Sequence, residues 1–103
     1  MRVTPDQIQK LKEATRRHFE PNTGIWVFGS RVDDHRLGGD YDFYIETSWN
    51  DLDRIVSGRL ALLAKLHGET EFEGEKIDLV IASRVPESHL PIHDIAKNQG
   101  IRV

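Results

Sequence analysis

The sequence contains no cysteine. That excludes disulfides, thiol nucleophiles and thiolate metal sites, and it suits a reducing compartment. Long apolar runs are missing too. The opening MRVTPDQIQKLK is polar, without the apolar stretch of a signal peptide, and no segment approaches the length of a membrane span. A cytoplasmic protein with no membrane partner is therefore expected. An excess of basic charge is also lacking: Lys and Arg number 14 against 17 Asp and Glu, for a formal net charge of -3. A broad nucleic-acid surface needs clustered cations, so no directly bound nucleic-acid template is expected.

What is present fits a small globular unit. The 103 residues are 38% hydrophobic and 30% charged, too apolar for a disordered chain and of a size for one domain spanning 1–103. Charge is uneven along the chain. Residues 1–20 hold five basic and three acidic side chains, whereas residues 21–50 hold two basic and five acidic ones. The acidic excess is thus local.

Thr4-Pro5-Asp6-Gln7 reads as a helix start, with Thr as cap, Pro at the first helical position and Gln completing a capping box. The helix should stop before Pro21, and Pro21-Asn22-Thr23-Gly24 reads as a turn. Ile25-Trp26-Val27-Phe28 is wholly apolar, as in a strand covered on both faces. Asp40 to Ile45 reads as a second strand. Asp51 to His67 reads as a helix capped by Gly68, with Leu52, Ile55, Val56, Leu60, Leu63 and Leu66 as its apolar face. Thr70–Phe72 and Lys76–Ala82 read as two paired strands around Glu73-Gly74, with Ile77, Leu79 and Ile81 on one face and Asp78 on the other. A last helix is expected from Pro91 to Gln99. The order predicts an α/β or α+β fold, a small mixed sheet flanked by helices.

The chemistry concentrates after the first strand. Gly29-Ser30 forms a small-residue turn there, through which backbone amides can approach a phosphate, with the Ser30 hydroxyl and the Arg31 fork as further donors. Asp40 and Asp42 are two apart on a strand, so both carboxylates share a face. Two like charges held that close repel unless a cation lies between them, and Mg²⁺ is the hard ion that carboxylates and phosphates would share. Asp78 is a lone charge inside the apolar run Ile77 to Ile81, where it is expensive without a partner. If its strand lies beside that of Asp40, three carboxylates converge into the ligand set of a two-ion phosphoryl or nucleotidyl transfer site.

Gly29-Ser30, nine intervening residues, Asp40-x-Asp42 and then Asp78 in a later apolar strand resemble the nucleotidyltransferase superfamily with the polymerase-beta catalytic fold. More narrowly, GSRVDD, GGDYDFYIE, KIDLVIA and the ending PIHDIAKNQGIRV resemble the minimal nucleotidyltransferase family over nearly the whole chain. The resemblance implies a polymerase-beta-like nucleotidyltransferase fold and an antitoxin that works beside an all-helical HEPN-type toxin. Some members of the family transfer AMP to a tyrosine on that toxin. By the same resemblance, Gly29, Ser30 and Arg31 would hold the β and γ phosphates of ATP, and Asp40 and Asp42 would bind the Mg²⁺ ions. Asp78 would complete the metal site and assist deprotonation of the attacking hydroxyl. The chain departs from the commoner family pattern at Asp33, Asp34 and Gly39.

Rival motifs fit less well. Gly24 and Gly29 have P-loop spacing, but Ser30 stands where the Lys is required. No acidic-x-Lys unit of the kind found in metal-dependent nucleases occurs. His89 and His93 are four apart, but Pro91 lies between them. One alternative stays open at this level: a nucleotide-binding module with a weak transferase site, neutralising its partner by complex formation.

Overall fold

The computed structural model describes residues 2–29, 40–84 and 99–103. Helix α1 spans Pro5–His18, and its start is the expected capping box: Thr4 Oγ1 accepts from the Gln7 amide at 3.1 Å, and Gln7 Oε1 accepts from the Thr4 amide at 2.9 Å. Gln7 does more than cap. Its Nε2 donates to the Tyr41 hydroxyl at 2.9 Å and to the Glu71 carbonyl at 2.8 Å, so a buried amide is satisfied while it ties the helix start to two later segments.

Strands β1 (Gly24–Phe28), β2 (Tyr41–Thr47), β3 (Ile77–Ser83) and β4 (Ile101–Arg102) form one sheet in the order β3-β2-β1-β4. β1 runs antiparallel to β2 and to β4, whereas β2 and β3 are parallel. A parallel pair needs a crossover, and helix α2 (Leu52–His67) provides it, capped by the Asp51 side chain at its start and by Gly68 at its end. The result is a small α+β fold with a mixed sheet.

Side-chain alternation divides the sheet. Ile25, Val27, Phe43, Ile45, Ile77 and Leu79 point to the helices and join Leu11, Leu62, Leu66 and Phe72 in the main core. Trp26, Tyr44 and Ala82 are buried on the opposite face, where Phe28 and Val80 pack against them. β1 is thus covered on both sides, as its unbroken apolar run predicts.

Two expectations are corrected. Thr70–Phe72 is a 3-10 turn instead of a strand, closed by bonds from the Phe72 amide to the Glu69 carbonyl and from Glu73 to Thr70, at 3.1 and 3.2 Å. Burying Phe72 alone satisfies this short segment, and β3 pairs with β2 in place of a hairpin partner. The apolar face of α2 is also shifted. Gly58, Leu62 and Leu66 are the buried positions, whereas Leu52, Val56 and Leu60 are exposed. Gly58 explains the rotation: a methyl group there would come within 2.9 Å of the Phe19 ring, so the bare backbone lets α1 and α2 approach along that line. The helix expected over 91–99 falls almost wholly outside the described residues. No helix among the described residues is long and apolar enough to cross a membrane.

Glu20 fastens the far end of β2. Its carboxylate accepts from Thr47 Oγ1 and the Ser48 amide, each at 2.5 Å, and from Ser48 Oγ. Burial raises its pKa, but the hydrogen bonds from Ser48 and Thr47 outweigh that and hold it below the usual carboxylate range. A lowered folded-state pKa contributes stability above the ordinary Glu value that is lost as pH falls through the folded one. Glu20→Gln is expected to cost about 1 kcal/mol at pH 7 and to flatten the acid limb of stability, read from urea melts between pH 3 and pH 7.

Candidate active site

The carboxylates meet on the sheet face opposite the helices. Pairing of β2 with β3 sets Asp42 directly beside Asp78. Two carboxylates held that close repel unless one is protonated or a cation lies between them. Burial first, then the negative charges of Asp78 and Asp40, push the Asp42 pKa up to about 6, against a smaller opposing pull from Lys76. Asp40 precedes β2, and its carboxylate reaches sideways to Lys76, with Oδ2 to Nζ at 3.5 Å.

Gly29 closes the site from the β1 side. Phe28 is the register partner of Asp42, so the chain leaves β1 directly over the Asp42 carboxyl. Gly29 has φ of 76°, a conformation that L side chains rarely adopt. A methyl group at Gly29 would overlap the Asp42 carboxylate. Only glycine meets both demands. Gly29→Ala is expected to cost roughly 1–2 kcal/mol in thermal melts and to displace Asp42, with the displacement read as a shift of its titration in carboxyl NMR.

The structure therefore brings together Gly29, Asp42 and Asp78, with Asp40 alongside. Ser30 and Arg31, and with them Asp33, Asp34 and Gly39, lie outside the described residues. Sequence reasoning passed over Lys76. The signal was available: Lys76-x-Asp78 has the same two-residue spacing as Asp40-x-Asp42, so parallel strands in register set one motif against the other.

Among the described residues, no three His, Asp or Glu side chains are gathered closely enough to hold an ion as they stand. Asp40 faces Lys76. The donor set nevertheless suits Mg²⁺. It is all carboxylate oxygen, it holds more negative charge than its one ammonium offsets, and its in-register pair, Asp42 and Asp78, is like-charged where a hard cation would neutralise it. Two clefts among the described residues lie elsewhere. One, of about 170 Å³, is lined by Lys10, Glu13, Ala14, Arg17, Lys65 and Glu69, and there Glu69 already pairs with Lys65 at 2.9 Å. The other, of about 210 Å³, lies around His67 and Glu73.

No protein-family model and no curated protein matches this chain.

Proposed function

We propose that the protein is a Mg²⁺-dependent nucleotidyltransferase that moves AMP from ATP to a hydroxyl, a tyrosine in the favoured case, on a helical HEPN-type partner, and so acts as its antitoxin. The observation that carries the reading is the in-register pairing of Asp42 with Asp78 beneath Gly29. It supports the reading because it gathers like-charged carboxyl groups at the end of β1, where the bare backbone of Gly29 meets Asp42. Asp40, Asp42 and Asp78 would hold Mg²⁺, which when bound supplies the charge that offsets the triphosphate.

The chain's own residues do the rest. Gly29 gives a phosphate access to the backbone, and Ser30 and Arg31 add donors from the turn. Asp78 accepts the proton of the attacking hydroxyl. The hydroxyl oxygen bonds to the α phosphorus in line with the bond to the β-phosphate oxygen, that bond breaks, and pyrophosphate leaves with the electron pair. Positioning and charge neutralisation supply most of the acceleration.

The test is incubation with ATP, Mg²⁺ and the helical protein encoded alongside, followed by intact-mass measurement. A gain of one adenylyl group on that protein, absent with Asp42→Asn, supports the transferase. A stable complex without mass change, equally formed by Asp42→Asn, supports neutralisation by binding instead.

A further inference from the structure

The face that bears Asp42 and Asp78 has a fourth corner. Tyr41 pairs with Ile77 and Asp42 with Asp78, so one step back along both strands Asp40 stands beside Lys76. The backbone fixes that neighbour: the Tyr41 amide donates to the Lys76 carbonyl at 3.0 Å. By the two-residue alternation of strands, Asp40, Asp42, Lys76 and Asp78 all project from one face. Three carboxylates and one ammonium thus form a quadrilateral. The Lys76 ammonium lies 3.5 Å from Asp40 Oδ2, with the Lys76 side chain 71% exposed, so the core does not depend on it.

We propose that Lys76 is a phosphate-binding residue of this site, paired with Asp40 in the ligand-free protein and released to a phosphate oxygen of the nucleotide when Mg²⁺ takes Asp40. This rests on the nucleotidyltransferase reading. An exposed ion pair between flexible side chains is weak, so a divalent ion competes for Asp40 with little resistance. Once that partner is taken, the ammonium faces a triphosphate arriving on the same sheet face. A compact charge with three donors on a four-carbon stem can follow it without any backbone movement.

The charge exchange predicts effects of opposite sign from one substitution. Lys76→Met keeps the stem and removes the competitor, so Mn²⁺ titrated alone, followed by its paramagnetic resonance signal, is expected to bind about two- to fivefold more tightly. ATP with saturating Mg²⁺, followed by calorimetry, is expected to bind about tenfold more weakly, because a charged contact to phosphate is lost. Lys76→Arg should restore the ATP affinity. The inference is overturned if Lys76→Met leaves ATP affinity unchanged, or if Mn²⁺ binding weakens. It is also overturned if the unaltered protein binds no ATP, and in that case the transferase reading falls with it. If the opposite shifts appear but no adenylyl group is ever transferred, the role of Lys76 stands and the transferase reading fails alone.

Discussion

Asp42→Asn is expected to raise thermal stability above pH 6 while lowering adenylyl transfer at least about 100-fold. The two effects have one cause. In the folded protein the Asp42 carboxyl is raised from 3.8 to about 6, first by burial and then by the charges of Asp78 and Asp40. A raised acid binds more protons folded than unfolded across that interval, so stability falls as pH rises from about 4 through about 6. Above that range the charged form is a standing cost. Two pKa steps correspond to nearly 3 kcal/mol, but Asp42 is only partly buried and solvent screens it, so about 1 kcal/mol is the expected gain from Asn. For a chain of this size that is about 4–8 °C in Tm.

The Asn side chain keeps the shape and can donate to Asp78, so it imitates the protonated acid. The melts should therefore converge at pH 4, where Asp42 is largely protonated. Mg²⁺ should stabilise the unaltered protein above pH 6 and leave Asp42→Asn nearly unmoved. Equal melting temperatures at pH 8 without Mg²⁺ would show that no charge cost is stored at this position. A gain in stability at the expense of function is the usual mark of a strained site.

Phe72→Ala is expected to cost about 3–5 kcal/mol, measured by urea unfolding, against a total stability of about 5–15 kcal/mol. Phe72 is fully buried. Its ring meets Tyr41 edge-on, at 5.4 Å and 87°, and Phe43 at 5.9 Å and 81°. Tyr41 and Phe43 flank Asp42 in β2, and Phe72 lies in the 3-10 turn that leads into β3. One ring therefore links the strand that carries Asp42 to the approach of the strand that carries Asp78. Phe72→Leu fills much of the volume without the edge contacts and should recover more than half of the loss. A loss below 1 kcal/mol for Phe72→Ala would mean that the turn does not anchor the parallel pairing.

Much of the fold was legible from local rules. The Thr4–Gln7 box, the Asp51 and Gly68 ends of α2 and the apolar run of β1 all follow from nearest-neighbour chemistry, and the structure has each of them. Gln7 shows where such rules stop. Its capping role is written in the sequence, but its bond to the Tyr41 hydroxyl joins residues 34 positions apart, and no local spacing announces that. Lys76 was overlooked for the same reason, since a lysine before a strand is unremarkable until the strand has a neighbour.

The sequence alone determined which face each acidic side chain occupies within its own strand, because alternation is a two-residue property of an extended backbone. It placed Asp40 with Asp42, and it set Asp78 opposite Ile77 and Leu79. Only the tertiary structure decided that β3 lies parallel to β2 with Asp78 beside Asp42, that Lys76 falls beside Asp40, and that α2 turns Leu62 and Leu66 inward while Leu52, Val56 and Leu60 stay outside. Strand register and helix rotation are set by what packs between distant segments, here Phe72 against β2 and Phe19 against Gly58. Such contacts form only when the chain closes on itself.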